Sequence, residues 1–218
     1  MNTDIIVNGF PFLLEGAIVT FQITILALII GTIWGFILCL LRMSHNPLFK
    51  GFAFIYIWIF RGVPLLILLF LFYYATPFGI TLTAFQAALA AMALNVGAYK
   101  AEYIRSGMYA VKKGQIESAE AIGLTPFQVM FRIRLPQVVR IIIPPYISNS
   151  TSLLKQSAQV SVITVPDLML NAQNLYASTY SPLETLGVAA VLYLVLTSIL
   201  MLLQTFAEKK LNIAATSK

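Results

Sequence analysis

Long apolar runs, separated by short polar clusters, set the pattern of this chain. Gly16 to Leu41 holds 26 residues without a charge and is bounded by Glu15 and Arg42. About 20 residues suffice to cross the hydrocarbon core of a bilayer. Asn46-Pro47 then marks a turn. The second run, Gly51 to Tyr74, contains Arg61-Gly62-Val63-Pro64. Pro64 removes a backbone donor and Gly62 permits close approach, so the helix is predicted to bend there. Thr76-Pro77-Phe78-Gly79 predicts a turn. A third run starts near Leu82, with Lys100, Glu102 and Arg105 as its wet end. The fourth, around Ile141 to Val165, carries Pro144, Pro145 and several polar residues, and the fifth, from about Thr185 to Ala207, is free of charge. The pattern predicts an all-α integral membrane protein: one transmembrane domain over 1–218 with five helical spans at about 16–41, 51–75, 82–104, 139–165 and 185–207.

Between spans 3 and 4 lies the longest charged, amphipathic segment, 112–136. Glu117, Ser118, Ala119, Glu120 and Ala121 are mostly good helix formers. Gly123 suits a left-handed cap. Leu124 follows, and Thr125 can cap a second turn with Pro126 at its first helical position. The residues predict a short helix, a tight bend and another short helix before the apolar chain resumes at Ile133-Arg134-Leu135-Pro136. Such a unit belongs in water beside the membrane, where it either binds something soluble or lies on the lipid surface as an ordinary amphipathic loop. Glu117 and Glu120, three residues apart without a pocket, read as partner contacts and helix stabilisers rather than a catalytic pair.

Composition agrees with this class. Of 218 residues, 59% are hydrophobic and 10% charged, against about 25% charged in soluble domains. One Cys and one His exclude a disulfide framework and argue against a His/Cys metal site. Met1 to Gly9 holds no Lys or Arg and the first apolar run is long, so the N-terminus is expected to be a retained span rather than a secretory signal. The net charge of +6 could suggest nucleic acid, but its distribution follows topology. Twelve Lys and Arg fall in the loop after span 1, the loop after span 3 and the C-terminal tail, and none on the other side. That asymmetry places the N-terminus outside and the tail in the cytoplasm. No phosphate-binding G-x-x-x-x-G-K-[ST] loop occurs, so the chain does not hydrolyse ATP by that route.

Polar and charged residues inside spans are costly and point to function by default. Asn149, Ser152, Gln156 and Gln159 recur at helical steps of three and four and so share a face, with Lys155 beside it. This stripe either lines a path for a polar solute or binds helix to helix. Lys155 could equally hold a neighbouring helix through a carbonyl or an acid. Arg61 either faces a solute carboxylate or, the preferred expectation, pairs with Glu102 or snorkels to the surface. Asn95 is a further candidate for the solute path, with packing glue as the preferred expectation.

A resemblance sharpens these readings. Glu117-Ser118-Ala119, Gly123, Ile133 and Leu135-Pro136 have the spacing of the EAA loop of ABC-importer permeases, with Ser118 where the family prefers Ala. Ile59-Phe60-Arg61-Gly62-Val63-Pro64-Leu65, with Val63 for Thr, is similar to the I-x-R-G-T-P-L segment of the polar amino acid (histidine/glutamine/cystine) group. So are Asn95 to Gly107, Leu135-Pro136-Gln137 with Pro144-Pro145 and Asn149, and Leu154-Lys155-Gln156-Ser157. The similarity runs from about Phe12 to Leu211. It implies a permease of the bacterial inner membrane, with Glu117 to Pro126 as the helix that couples to a cytoplasmic ATPase dimer. It also implies a second permease subunit, identical or closely related, and an extracytoplasmic solute-binding protein that delivers a polar amino acid. ATP and Mg would sit on the ATPase, with no cofactor on this chain. Gln156 and Ala158-Gln159 depart from the group's Asp and Ser-Leu, near where the solute is expected. The alternative is an ATP-independent carrier or channel, for which acids deep in a span would be expected; the chain has none there.

Overall fold

The computed structural model describes residues 3–75 and 79–210, and every regular element among them is helical. The α-helices are α1 (Thr3–Met43), α2 (Pro47–Gly62), α3 (Leu65–Tyr74), α4 (Ala84–Ala110), α5 (Lys113–Ala121), α6 (Pro126–Gln128), α7 (Leu135–Gln156), α8 (Leu168–Thr179) and α9 (Pro182–Lys210). A π-helical turn, Val129–Arg134, leads into α7, and a 3₁₀ segment, Ser157–Ile163, follows it. Of the turn expected at Thr76-Pro77-Phe78-Gly79, residues 76–78 lie outside the described residues.

α1 runs 41 residues, beginning well before the charge-free run. Glu15 bounds the apolar stretch but does not stop the helix, because glutamate is a good helix former and its position is exposed while Gly9, Leu13 and Gly16 bury the opposite side. The centre of the fold is α4 against α1. Gly31 and Gly35 of α1 allow the approach: a Cβ on Gly35 would lie 2.8 Å from both the Gly97 carbonyl oxygen and Lys100 Cβ. Ala87, Ala88, Ala91, Ala98 and Ala101 are fully buried along α4, as small residues are where transmembrane helices pack backbone to backbone. Ile23, Leu68, Leu69, Met92 and Ile163 fill one core beside this seam, and Leu13, Leu168, Ala172 and Ala189 fill another.

The bend expected near Pro64 is a full break: α2 and α3 meet at 104°. α1 and residues Pro182–Phe206 of α9 are each long and apolar enough to cross a membrane, and the bent α2–α3 pair is a third such unit. α4 and α7 do not reach that apolarity. α4 is sheathed by its neighbours and leaves little of its surface exposed, so it requires small residues rather than large apolar ones.

Three sequence expectations change. Lys100 is not at a wet helix end: its side chain is wholly buried, and its ammonium donates to the Tyr146 carbonyl at 2.7 Å and to Ser150 Oγ at 3.0 Å. A lysine near a predicted span end looks like an interfacial charge in sequence; only packing of α7 over α4 reveals it as interior. The α-helix of the fourth apolar stretch stops at Gln156, so Gln159 is not on the α-helical face that carries Gln156. Thr164 ends the 3₁₀ segment in the left-handed region, with φ 63°. And the stretch expected to be a loop, 166–184, contains α8, capped by Asp167 through its carboxylate and the Leu170 N–H.

Candidate functional site

A cavity of about 460 Å³ opens where α2 breaks from α3. α4 supplies Asn95 and Tyr99, one turn apart. α7 supplies Asn149, Ser152 and Gln156 at steps of three and four, and the break itself supplies Arg61 and the backbone from Gly62 to Leu65. The break is a consequence of Pro64. Proline has no N–H to donate to the carbonyl four residues back, and that carbonyl, Phe60, accepts instead from Asn95 Nδ2 at 2.6 Å. Asn95 therefore holds the broken helix against α4 while bordering the cavity it creates, which gives the packing role expected of it a definite partner.

The lining contains one cation, three side-chain amides and two hydroxyls, those of Ser152 and Tyr99, with no carboxylate. Asn149 Oδ1 is sealed from solvent and lacks a hydrogen-bond partner. Ser152 Oγ donates back to the Ser148 carbonyl at 3.1 Å, leaving its lone pairs available. Arg61 is exposed and lies over the Tyr99 ring at 5.1 Å. It is not the ion-pair partner of Glu102, whose carboxylate is held by Arg105 at 2.6 and 2.9 Å. The structure thus brings together Arg61, Asn95, Asn149, Ser152 and Gln156 of the residues singled out in sequence. Lys155 points away, exposed in the last turn of α7. Gln159 lies in the 3₁₀ segment outside the lining, and its Oε1 is buried without a partner. The sequence marks Gly62 and Pro64 for a bend rather than for lining a cavity, and it does not mark Tyr99, for which the four-residue step from Asn95 is the available signal.

The polar segment takes the conformation its residues predict. α5 ends in paired bonds, Leu124 N–H to the Ala119 carbonyl at 3.1 Å and Gly123 N–H to Glu120 at 2.9 Å, with Gly123 at φ +87°. Thr125 and Gln128 form a reciprocal capping box, with Pro126 in the first turn. Glu117, Ser118, Glu120, Gly123, Thr125 and Pro126 are exposed, Leu124 is half-buried and Ala119 is buried. The segment is tied firmly to the helices behind it. The Arg134 guanidinium donates to the Met108 carbonyl at the end of α4, and a Cβ on Gly107 would collide with Ile142 of α7. The elements that carry this segment are the ones that line the cavity.

Residues 27–213 match the model of the family described as binding-protein-dependent transport system inner membrane component. The chain belongs to that family. This permease component is 38% identical over 205 residues to a Rickettsia bellii protein named as a glutamine transport system permease, GlnP, covering 93% of this chain and 94% of the relative. It is also 38% identical over 204 residues to the arginine transport system permease ArtQ of Bacillus subtilis, with 93% of each covered. Its fold superposes on the crystal structure of an amino acid ABC transporter with histidines at a TM-score of 0.90 and 35% identity, over 96% of this chain and 99% of that one. The resemblance drawn from the 117–136 segment and its flanks is borne out.

Proposed function

We propose that this chain is the membrane-spanning subunit of an ATP-driven importer that carries a polar amino acid into the cytoplasm by alternating access. Five spans are assigned: α1, the broken α2–α3 pair, α4, α7 with its 3₁₀ extension, and α9. The N-terminus lies outside and the 112–136 segment in the cytoplasm, following the charge asymmetry of the loops. α5 and α6, with Glu117 to Pro126, present a rigid exposed unit to a separate ATPase that holds ATP and Mg. A second permease subunit completes the pathway, and a solute-binding protein supplies the amino acid from outside.

The observation that carries the reading is the polar cavity at the α2–α3 break. A zwitterionic amino acid brings one carboxylate and one ammonium into it. Arg61 is suited to the carboxylate, since guanidinium and carboxylate match in a fork of two hydrogen bonds. Ser152 Oγ and Gln156 offer acceptors to the ammonium at the cavity surface, and a turn of the Asn149 side chain brings its sealed, unpartnered oxygen to the same place, where being satisfied is most favourable. The absence of a carboxylate in the lining favours a neutral zwitterion over a dication. Relatives of equal identity are named for glutamine and for arginine, so the side chain of the solute is left to the departure at Gln156, which lines the cavity. Movement reaches the cavity mechanically: closure of the ATPase shifts α5 and α6, Arg134 and the Gly107 contact pass the shift to α4 and α7, and the two walls of the cavity move together.

The test is ATPase activity of the reconstituted complex, permease with its ATPase and binding protein, across a panel of amino acids. Stimulation by a neutral polar amino acid is expected, with Asn149→Ala and Gln156→Ala each requiring roughly tenfold more solute for the same response, about 1.4 kcal/mol. An intact complex whose two variants respond as wild type would show that the solute passes elsewhere.

A further inference from the structure

A second cavity, of about 450 Å³, lies on the far side of Arg61, between the end of α1, the outer face of α2 and the end of α4. Three arginines meet there: Arg42, Arg61 and Arg105. One carboxylate faces them, Glu102, already engaged by both guanidinium contacts of Arg105. Three guanidiniums against one carboxylate leave two positive charges in a single cavity. Those of Arg42 and Arg61 are held over aromatic rings, Phe54 at 5.0 Å and Tyr99 at 5.1 Å, an arrangement that fixes the planar group and leaves its N–H edge open to an anion. The mouth is apolar: Phe54 is 53% and Trp58 69% exposed.

We propose that this cavity binds a phosphate-bearing anion, supplied by the headgroup of an acidic phospholipid, with Arg42 and Arg61 on the phosphate and Phe54 and Trp58 against the first part of the acyl chains. The chemistry favours phosphate because guanidinium edges match its oxygens in pairs. Basic pockets between transmembrane helices near the membrane surface recognise acidic headgroups, and aromatic residues at the mouth fit the water–lipid boundary. The proposal requires that the chain be in a membrane. It does not depend on which solute is carried; it shares Arg61 with the solute cavity, and Arg42, which lines this cavity alone, distinguishes the two.

Trp58 is a built-in reporter, since the sequence holds two tryptophans and a Trp34→Phe variant leaves Trp58 as the single emitter. The permease carrying that change is reconstituted in phosphatidylcholine nanodiscs made with a tryptophan-free scaffold protein, and phosphatidylglycerol with brominated acyl chains is added stepwise, with brominated phosphatidylcholine as the reference. Saturable quenching by the acidic lipid at low mole fraction is expected. Arg42→Gln should raise the half-saturating fraction about five- to tenfold, with Arg42→Lys between. Arg42 is used because it does not line the solute cavity, and bound lipid counted by native mass spectrometry gives a readout independent of fluorescence. Added inorganic phosphate separates the sources. If it shifts Trp58 emission saturably in neutral nanodiscs and brominated acidic lipid does not quench preferentially, the anion is soluble phosphate and the headgroup assignment is overturned. Equal quenching by acidic and neutral lipid with no phosphate response, or an Arg42→Gln curve that overlays wild type in a folded protein, overturns the site.

Discussion

Asn95 offers the sharpest test of how the cavity is built. The Phe60 carbonyl would ordinarily accept from residue 64, but Pro64 has no N–H, and the bond from Asn95 Nδ2 at 2.6 Å takes its place. Asn95→Leu keeps most of the volume and removes the donor. An unsatisfied buried carbonyl costs about 1–3 kcal/mol in water-soluble proteins, while hydrogen bonds between transmembrane helices measure about 0.6–1.7 kcal/mol by double-mutant cycles. The lower scale applies here, because the unfolded helices remain in lipid or detergent. If Pro64 is the reason the bond matters, Pro64→Ala frees the extended Val63 to turn helical, which restores a backbone donor to Phe60 and makes Asn95 redundant. The cycle Asn95→Leu, Pro64→Ala and the double variant should therefore show coupling of about 0.6–1.7 kcal/mol, a three- to eighteenfold difference in the unfolding equilibrium. Unfolding by SDS in mixed micelles, followed by tryptophan fluorescence, measures it. A loss on Asn95→Leu that is equal in both backgrounds would refute the reasoning, since Asn95 would then be packing independently of the break.

Other substitutions probe the remaining supports. Gly123→Ala places a Cβ at φ +87° and should cost about 1–2 kcal/mol locally. The expected result is weakened ATPase stimulation in a still-folded complex, whereas Gly114→Ala, with nothing within 4 Å of the added atom and no positive φ, should behave as wild type. Gly35→Ala should lower the melting temperature through an overpacked α1–α4 seam, about 1–3 kcal/mol, while Gly51→Ala, again with nothing within 4 Å, should not. Lys100→Met should be tolerated or should stabilise the fold in SDS titration. Tyr146 keeps its bond from Ser150 Oγ at 2.8 Å, so no acceptor is orphaned and a buried charge is removed; a loss above about 2 kcal/mol would instead make the ammonium a structural requirement.

Features that depend on neighbours along the chain are legible in the residues alone. Helix class, the apolar runs, and the cap-and-turn chemistry at Gly123, Thr125 and Pro126 follow from local backbone preferences, and the structure adopts them as read. So does the disruption at Pro64, because a missing N–H is a property of one residue. The family was legible for the same reason, since its segment from Glu117 to Pro136 is a spacing. Features that depend on packing between distant segments emerge only when the helices are assembled. Lys100 reads as an interfacial charge until α7 covers it. Gln159 reads as continuing the stripe of Gln156 until the helix tightens to 3₁₀ between them. The ion pair expected of Arg61 is taken by Arg105, which sits one helical turn from Glu102 and needs no long-range alignment. Arg61 is left between two cavities, and α8 emerges from a presumed loop because α1 and α9 give it a surface to bury. Periodicity says which residues share a face, and only the crossing of α1, α4 and α7 says which face meets another helix and which meets open space.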